Sequence, residues 1–109
     1  MSDLYFISMA ARLLDMHPQT LRKYERLGLV RPTRRLGSVR VYTPDELDRL
    51  KLIKHLVDDA GVNLAGVQRL LSIAEAVQRM RPLMSDGGSR EARRRLVQEL
   101  ERIEEMVGL

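Results

Sequence analysis

The run His17-Pro18-Gln19-Thr20-Leu21-Arg22-Lys23-Tyr24-Glu25-Arg26-Leu27-Gly28 carries both a start and a stop for a short helix. Proline inside a helix removes a backbone hydrogen bond and clashes with the preceding turn, but it suits the first helical position, so Pro18 begins the helix and His17 caps it. Leu21 is the apolar position turned inward, and Gly28 is the residue type that takes the left-handed conformation just beyond a helix end. Upstream, Ser8 can cap another short helix in which Ala11 and Leu14 recur on one face, and residues 15–17 interrupt it. Two short helices joined by a three-residue turn read as a helix-turn-helix. A generic helical hairpin has the same local pattern, so the flanking sequence must separate them.

Downstream, Pro32 excludes a helix interior, and Val39 and Val41 alternate with Arg40 and Tyr42 at the period of a strand. Gly37-Ser38 fits a two-residue hairpin turn, which pairs Arg34–Leu36 with Val39–Tyr42 as a small β-hairpin wing. Alternation puts Arg40 and Tyr42 on one face and Val39 and Val41 on the other. Thr43-Pro44-Asp45-Glu46 combines a cap, a first-turn proline and a returning Glu, and it opens a helix with Leu47, Leu50, Ile53 and Val57 on one stripe that closes at Gly61. Asn63 caps a further helix carrying Leu64, Val67, Leu70, Leu71 and Ala74, and Pro82 disfavours helix at Arg81. Beyond a linker at 85–89, Ser89 caps a last helix in which Leu96, Leu100, Ile103 and Val107 follow alternating spacings of four and three, a short coiled-coil seam. The expected fold is mainly α. A winged helix-turn-helix with two scaffold helices occupies 1–84, the linker 85–89, and a coiled-coil dimerisation helix 90–109.

The 109 residues are 44% hydrophobic and 31% charged, enough for one small domain with a dimerising arm. No apolar stretch is long enough for a membrane span and no signal peptide is recognisable, so no membrane partner and a cytoplasmic, nucleoid-associated location are expected. Cysteine is absent, which removes disulfides, thiolate metal sites and cysteine nucleophiles. With two separated histidines and no nucleophile motif, an enzyme is not expected, nor is a cofactor or a metal site. Charge is the informative quantity. Of the 19 basic residues, Arg12, Arg22, Lys23, Arg26, Arg31, Arg34, Arg35 and Arg40 stand between 12 and 42 against only Asp15 and Glu25. A block so rich in arginine, whose planar fork suits phosphate oxygens and guanine edges, points to a polyanion partner or to an ordinary solvated face, and the helix-turn-helix with its basic wing breaks the tie in favour of double-stranded DNA.

Within that block, Gln19, Thr20, Arg22 and Lys23 begin the recognition helix, where side chains reach base edges. Tyr24 suits a phosphate contact or a packed ring with a bonded hydroxyl, and His17 a cap or a phosphate contact. Arg12 and Arg26 extend the basic surface, while Arg34, Arg35, Arg40 and Tyr42 place the wing on phosphates beside the groove.

In this order of parts the chain resembles the MerR family of bacterial transcription regulators. Thr20-Leu21-Arg22-Lys23-Tyr24-Glu25-Arg26-Leu27-Gly28-Leu29 is similar to the family's recognition-helix signature, and Ser38-Val39-Arg40-Val41-Tyr42 to the end of its wing. The resemblance covers residues 5 to 75. His17-Pro18-Gln19-Thr20-Leu21-Arg22 and Gly61-Val62-Asn63-Leu64-Ala65-Gly66 are closer to the HspR subgroup, repressors of bacterial chaperone genes, as are Lys23 and Val39 where many members carry aromatic residues. The resemblance implies a homodimer on an inverted repeat at heat-shock promoters, repression, and modulation by a DnaK-type chaperone. The competing reading is an excisionase-like architectural factor that bends DNA and lacks a dimer arm. The seam of Leu96, Leu100, Ile103 and Val107 favours the homodimer. Basic residues cluster in the first half of that helix and acidic ones in the second, which predicts antiparallel pairing.

Overall fold

A computed structural model describes residues 4–32, 34–37, 39–85 and 88–109, with the backbone alone for 34–36. The chain forms two compact units, Met1–Val62 and Asn63–Leu109.

In the first unit, β1 (Tyr5–Phe6) leads into α1 (Ile7–Leu14) and α2 (Pro18–Arg26). The turn between the helices is made by Asp15 in the left-handed region (φ 53°), and the Met16 amide reaches back to the Ala11 carbonyl at 2.8 Å. His17 caps α2 as expected, its Nδ1 accepting from the Gln19 amide at 3.1 Å, with Pro18 at the first position. At the other end Gly28 takes φ +76° and the Leu29 amide donates to the Tyr24 carbonyl at 3.0 Å, a left-handed closure that a side chain at residue 28 would strain.

Strands β2 (Arg34–Leu36) and β3 (Val39–Tyr42) form the expected hairpin, in the register Arg34 with Val41, Arg35 with Arg40 and Leu36 with Val39. Gly37 has φ +63°; its turn partner Ser38 lies outside the described residues. β1, too short to show a period in sequence, adds antiparallel to the far edge of β3, giving the order β1-β3-β2.

The alternation expected along β3 is corrected by this sheet. Val39 and Arg40 are exposed, whereas both Val41 and Tyr42 are buried. The inner strand dives into the core at its C-terminal end, where neither side of the pleat remains wet, so Arg40 and Tyr42 do not share an exposed face.

α3 (Pro44–Lys54) starts as its sequence dictates, Thr43 Oγ1 accepting from the Glu46 amide at 3.3 Å, and buries Leu47, Leu50 and Ile53. It does not run on as α-helix to Gly61: from His55–Asp59 the backbone widens into a π turn, the Ala60 amide bonding the His55 carbonyl at 3.0 Å. Val57 is accordingly only half-buried. The core of the unit is Leu21, Tyr24, Leu29, Val30, Val41, Tyr42, Leu50 and Ile53, with Ala10, Ala11 and Leu14 from α1. Truncating one of its fully buried leucines, such as Leu21 or Leu50, costs about 2–5 kcal/mol.

The second unit is a helical hairpin of α4 (Leu64–Met84) and α5 (Arg90–Val107). Asn63 Oδ1 caps α4 through the Gly66 amide at 2.8 Å, and Ser89 Oγ caps α5 through the Ala92 amide at 3.1 Å. Contrary to the expectation at Arg81, α4 continues through Pro82 to Met84. Only the last turn follows the proline, so the missing donor interrupts little of the ladder. Of the linker expected at 85–89, residues 86 and 87 lie outside the described residues. Small Ala76 and Ala92 are buried, and Arg79 grips Glu99 across the hairpin with two bonds of 3.0 and 3.1 Å. These bonds hold the Glu99 carboxyl below the usual glutamate range.

Candidate nucleic-acid interface

Nine residues make a helix too short to stand alone in water, so α2 depends on its buried face. That face is Leu21 and Tyr24. The opposite side shows Gln19, Arg22, Lys23 and Arg26, whose spacing of three, one and three places all four on one helical stripe. Thr20 is half-buried at its edge. Three cations and an amide on one exposed face, at the N-terminal and central part of a helix, are what base edges and phosphates in a major groove accept.

α3 fixes where that helix lies. Arg49 Nε donates to the Leu29 carbonyl at 2.6 Å, and Lys54 Nζ donates to the Leu14 carbonyl at 2.7 Å and to that of Asp15 at 3.2 Å. Lys54 answers carbonyls that the end of α1 leaves without an intrahelical partner, at the negative end of its macrodipole, whereas Arg49 holds the chain just beyond the α2 cap. The segment following α2 and the end of α1 are thereby tied to one scaffold helix.

The remaining expected site residues fall into distinct settings. Arg12 is exposed on α1. Tyr24 is buried as part of the inner face of α2, and its phenol is pushed above the usual range by burial first and then by Asp58. Arg34 and Arg35 belong to β2, and their side chains lie outside the described residues. Arg40 is half-exposed and its guanidinium pairs with the carboxylate of Glu25 on α2. Tyr42 is buried within reach of charges on α2, β3 and α3: burial first and then Glu25 push its phenol up. Its hydroxyl has no hydrogen-bond partner.

Four side chains that the sequence reading did not place in the site matter here. Glu25 was visible as the sole acid between Arg22 and Arg40, an exception that called for a partner. Arg31 is exposed beside a hollow of about 350 Å³ lined also by Gly28, Glu46 and Arg49. Arg49 and Lys54 looked like ordinary solvated charges, and nothing in their spacing distinguishes them.

The expected seam of the last helix is divided. Leu96 and Ile103 are half-buried on the same stripe as Ala92 and Glu99, the side turned to α4, whereas Leu100 and Val107 are 46% and 53% exposed and join Val97 at 52%. On α4, Leu70, Val77 and Met84 are also exposed, seven residues apart. Helical periodicity places both exposed stripes on the same side of the hairpin.

Residues 5–73 match the family model described as MerR HTH family regulatory protein. The chain belongs to the MerR family. Among individual MerR-family relatives, a protein of Streptomyces coelicolor that carries the provisional name heat shock protein HspR is 43% identical over 76 residues, covering 70% of this chain and 50% of that protein. The HTH-type transcriptional regulator GlnR of Bacillus cereus is 35% identical over 74 residues, 68% of this chain and 57% of GlnR. The chain therefore spans about half the length of these relatives. A crystal structure of a MerR-family transcriptional regulator from Bacillus cereus superposes with a TM-score of 0.61 at 25% identity, over 97% of this chain and 76% of that one. HiNmlR, a MerR-family regulator lacking the sensor domain and bound to promoter DNA, gives the same TM-score of 0.61 at 19% identity over 98% of this chain and 80% of its own, a likeness of fold. The resemblance read from residues 5 to 75 is thus shown, and the relatives include HspR.

Among the described residues, no group of His, Asp and Glu is arranged to hold a metal, and no helix is long and apolar enough to cross a membrane.

Proposed function

We propose that this MerR-family chain is a homodimeric repressor of chaperone genes that binds an inverted repeat in double-stranded DNA. Each protomer lays α2 in the major groove with the β2–β3 wing on the flanking backbone. The observation that carries this reading is the exposed stripe of Gln19, Arg22, Lys23 and Arg26 on a helix whose other face is core. Arg12 and Arg31, also exposed, extend the positive surface. The heat-shock assignment is supported by the likeness to HspR, and with it come a cytoplasmic, nucleoid-associated location and modulation by a DnaK-type chaperone.

Dimerisation is supported by the apolar face of the α4–α5 hairpin, which also argues against an architectural factor without a dimer arm. Along α5 the exposed stripe reads Arg93, Val97, Leu100, Glu104 and Val107. An antiparallel partner centred between Val97 and Leu100 brings Val97 onto Leu100 and Arg93 onto Glu104 twice over. Parallel pairing sets Arg93 beside Arg93.

Titration of the protein with duplexes from chaperone promoters, at several salt concentrations, tests the proposal. A dimer neutralising about six phosphates loses on the order of a thousandfold in affinity between roughly 50 and 200 mM salt, with protection of two half-sites. Salt-independent binding, or a single protected half-site, contradicts it.

A further inference from the structure

We infer that the ion pair between Glu25 and Arg40 is a positioning device that locks the wing to the recognition helix, so that an acidic residue facing the DNA side of the protein is required for operator binding. The inference rests on the DNA-binding reading above. Glu25 lies on α2 three residues after Arg22 and one before Arg26, within the most basic part of the chain. By charge alone it subtracts from attraction to DNA. Its side chain, however, is only 16% exposed, with one oxygen on the Arg40 guanidinium and the other buried with no hydrogen-bond partner. A carboxylate withdrawn from water to that degree is costly unless paired, and breaking such a pair costs more than the pair itself contributes because it strands the charge. Glu25 is therefore held to Arg40, and Arg40 lies on the exposed stretch of β3, next to the hairpin turn and opposite Arg35 in register.

The setting reinforces the link. Tyr42, two residues further along β3, is buried with its hydroxyl in the field of Glu25, Arg40, Glu46 and Arg22. The polar cluster thus spans α2, β3 and α3 where the described part of the wing approaches the recognition helix. Among the described residues, the wing is also held by β1 on the edge of β3 and by burial of Val41 and Tyr42 in the core. The Glu25–Arg40 bond is a direct side-chain link between the hairpin and α2, which carries the DNA-reading stripe. Arg40, with its charge committed to Glu25, acts on DNA through this geometry more than as a free cation.

Glu25→Gln, Arg40→Gln and the double variant test the device in the full-length protein, with binding to the operator and to random duplex measured in parallel. Glu25→Gln makes the protein more positive, so binding to random DNA holds or rises, while operator affinity falls by about tenfold or more. Arg40→Gln gives a similar operator loss, and the double variant is no weaker than the weaker single one, because both changes break one bond. Amide hydrogen exchange in the free protein adds a readout independent of DNA: β2 and β3 exchange faster in either single variant while α5 is unchanged. Tighter operator binding by Glu25→Gln, additive losses in the double variant, or unaltered exchange in the wing overturns the inference. If Glu25→Gln does not fold, Arg40→Gln, changed at a half-exposed strand position, supplies the same two readouts. Failure of the unmodified protein to bind any duplex overturns the DNA-binding reading instead, and the exchange result still judges the lock.

Discussion

Replacing Leu100 with Asp separates the two apolar faces of α5. Leu100 is 46% exposed within the protomer, so about half of its burial remains to be gained on association. Complete burial of a leucine contributes roughly 1.5–3 kcal/mol, hence about 1 kcal/mol per protomer and about 2 per dimer at this position. An aspartate forfeits that and puts two carboxylates into an apolar seam, each costing at least about 1 kcal/mol. The total of about 4 kcal/mol raises the dimer dissociation constant on the order of a thousandfold. Sedimentation equilibrium over a range of protein concentrations reads this directly, and thermal unfolding of the protomer shifts little. Leu96→Asp is the counterpart. Leu96 is half-buried on the side turned to α4, so the same substitution there costs hairpin stability first. An unchanged dimer for Leu100→Asp refutes the assignment of that face, and equal loss of protomer stability from both variants refutes the division of the seam. The antiparallel arrangement is checked by mixing Arg90→Cys and Val107→Cys chains: disulfides form between the two variants, whereas efficient Arg90→Cys self-crosslinking shows parallel helices.

Three further outcomes are expected. Arg22→Ala removes an exposed side chain with no part in the core, so the melting temperature holds while cognate affinity falls by about 1–3 kcal/mol and random-DNA affinity far less; equal losses on both duplexes make it a phosphate contact. Arg79 and, for Glu91, the bonds from Arg94 hold two carboxyls of the hairpin below their ordinary value of 4.5, so the stabilisation is complete above that pH and is lost as pH falls through the lowered folded values. Helix content of Arg79→Gln should show a shallower acid-side decline; an identical decline removes Glu99 from the account. Burial raises the Tyr42 phenol above 10.0, so its stabilisation is full below pH 10.0 and disappears as pH rises through the folded value. Tyr42→Phe, which deletes a buried hydroxyl lacking a hydrogen-bond partner, should leave neutral-pH stability equal or higher and blunt the alkaline loss; a destabilisation above about 1 kcal/mol contradicts the burial argument.

Much of the architecture was legible because its limits are written in local chemistry. Proline at 18 and 44, capping side chains at 43, 63 and 89, and glycines at 28 and 37 act through the backbone within a few residues, so each is read without knowing the rest of the fold. Side-chain direction on β3 was not legible in the same way. Alternation presumes a strand with one dry face, and β3 enters the core at its end, where Val41 and Tyr42 on opposite faces are both buried; its edge partner β1 is a two-residue strand that leaves no sequence pattern. The α5 stripe is divided for a related reason: an apolar spacing of four and three states that residues are covered, not by whom. Here α4 takes Leu96 and Ile103, and Val97, outside the heptad, joins Leu100 and Val107 on the exposed side. Glu25 and Arg40 are distant in sequence and of opposite sign, and only the fold makes them partners.

The division of labour inside the first unit explains how so cationic a surface is tolerated. Arg22, Lys23 and Arg26 within one helical turn of each other repel, and α2 is too short to absorb that cost through its own hydrogen bonds. Its stability is supplied from elsewhere: Leu21 and Tyr24 in the core, the imidazole cap at its start, and Arg49 of α3 on the carbonyl of Leu29 just past its end. None of these groups lies on the exposed stripe. On the proposed reading, the stripe is therefore free to vary with the DNA sequence while the helix stays in place. If the stripe reads DNA as proposed, a substitution at Gln19, Arg22, Lys23 or Arg26 is expected to change recognition, whereas one at Leu21, Arg49 or Lys54 is expected to disturb where that surface is held.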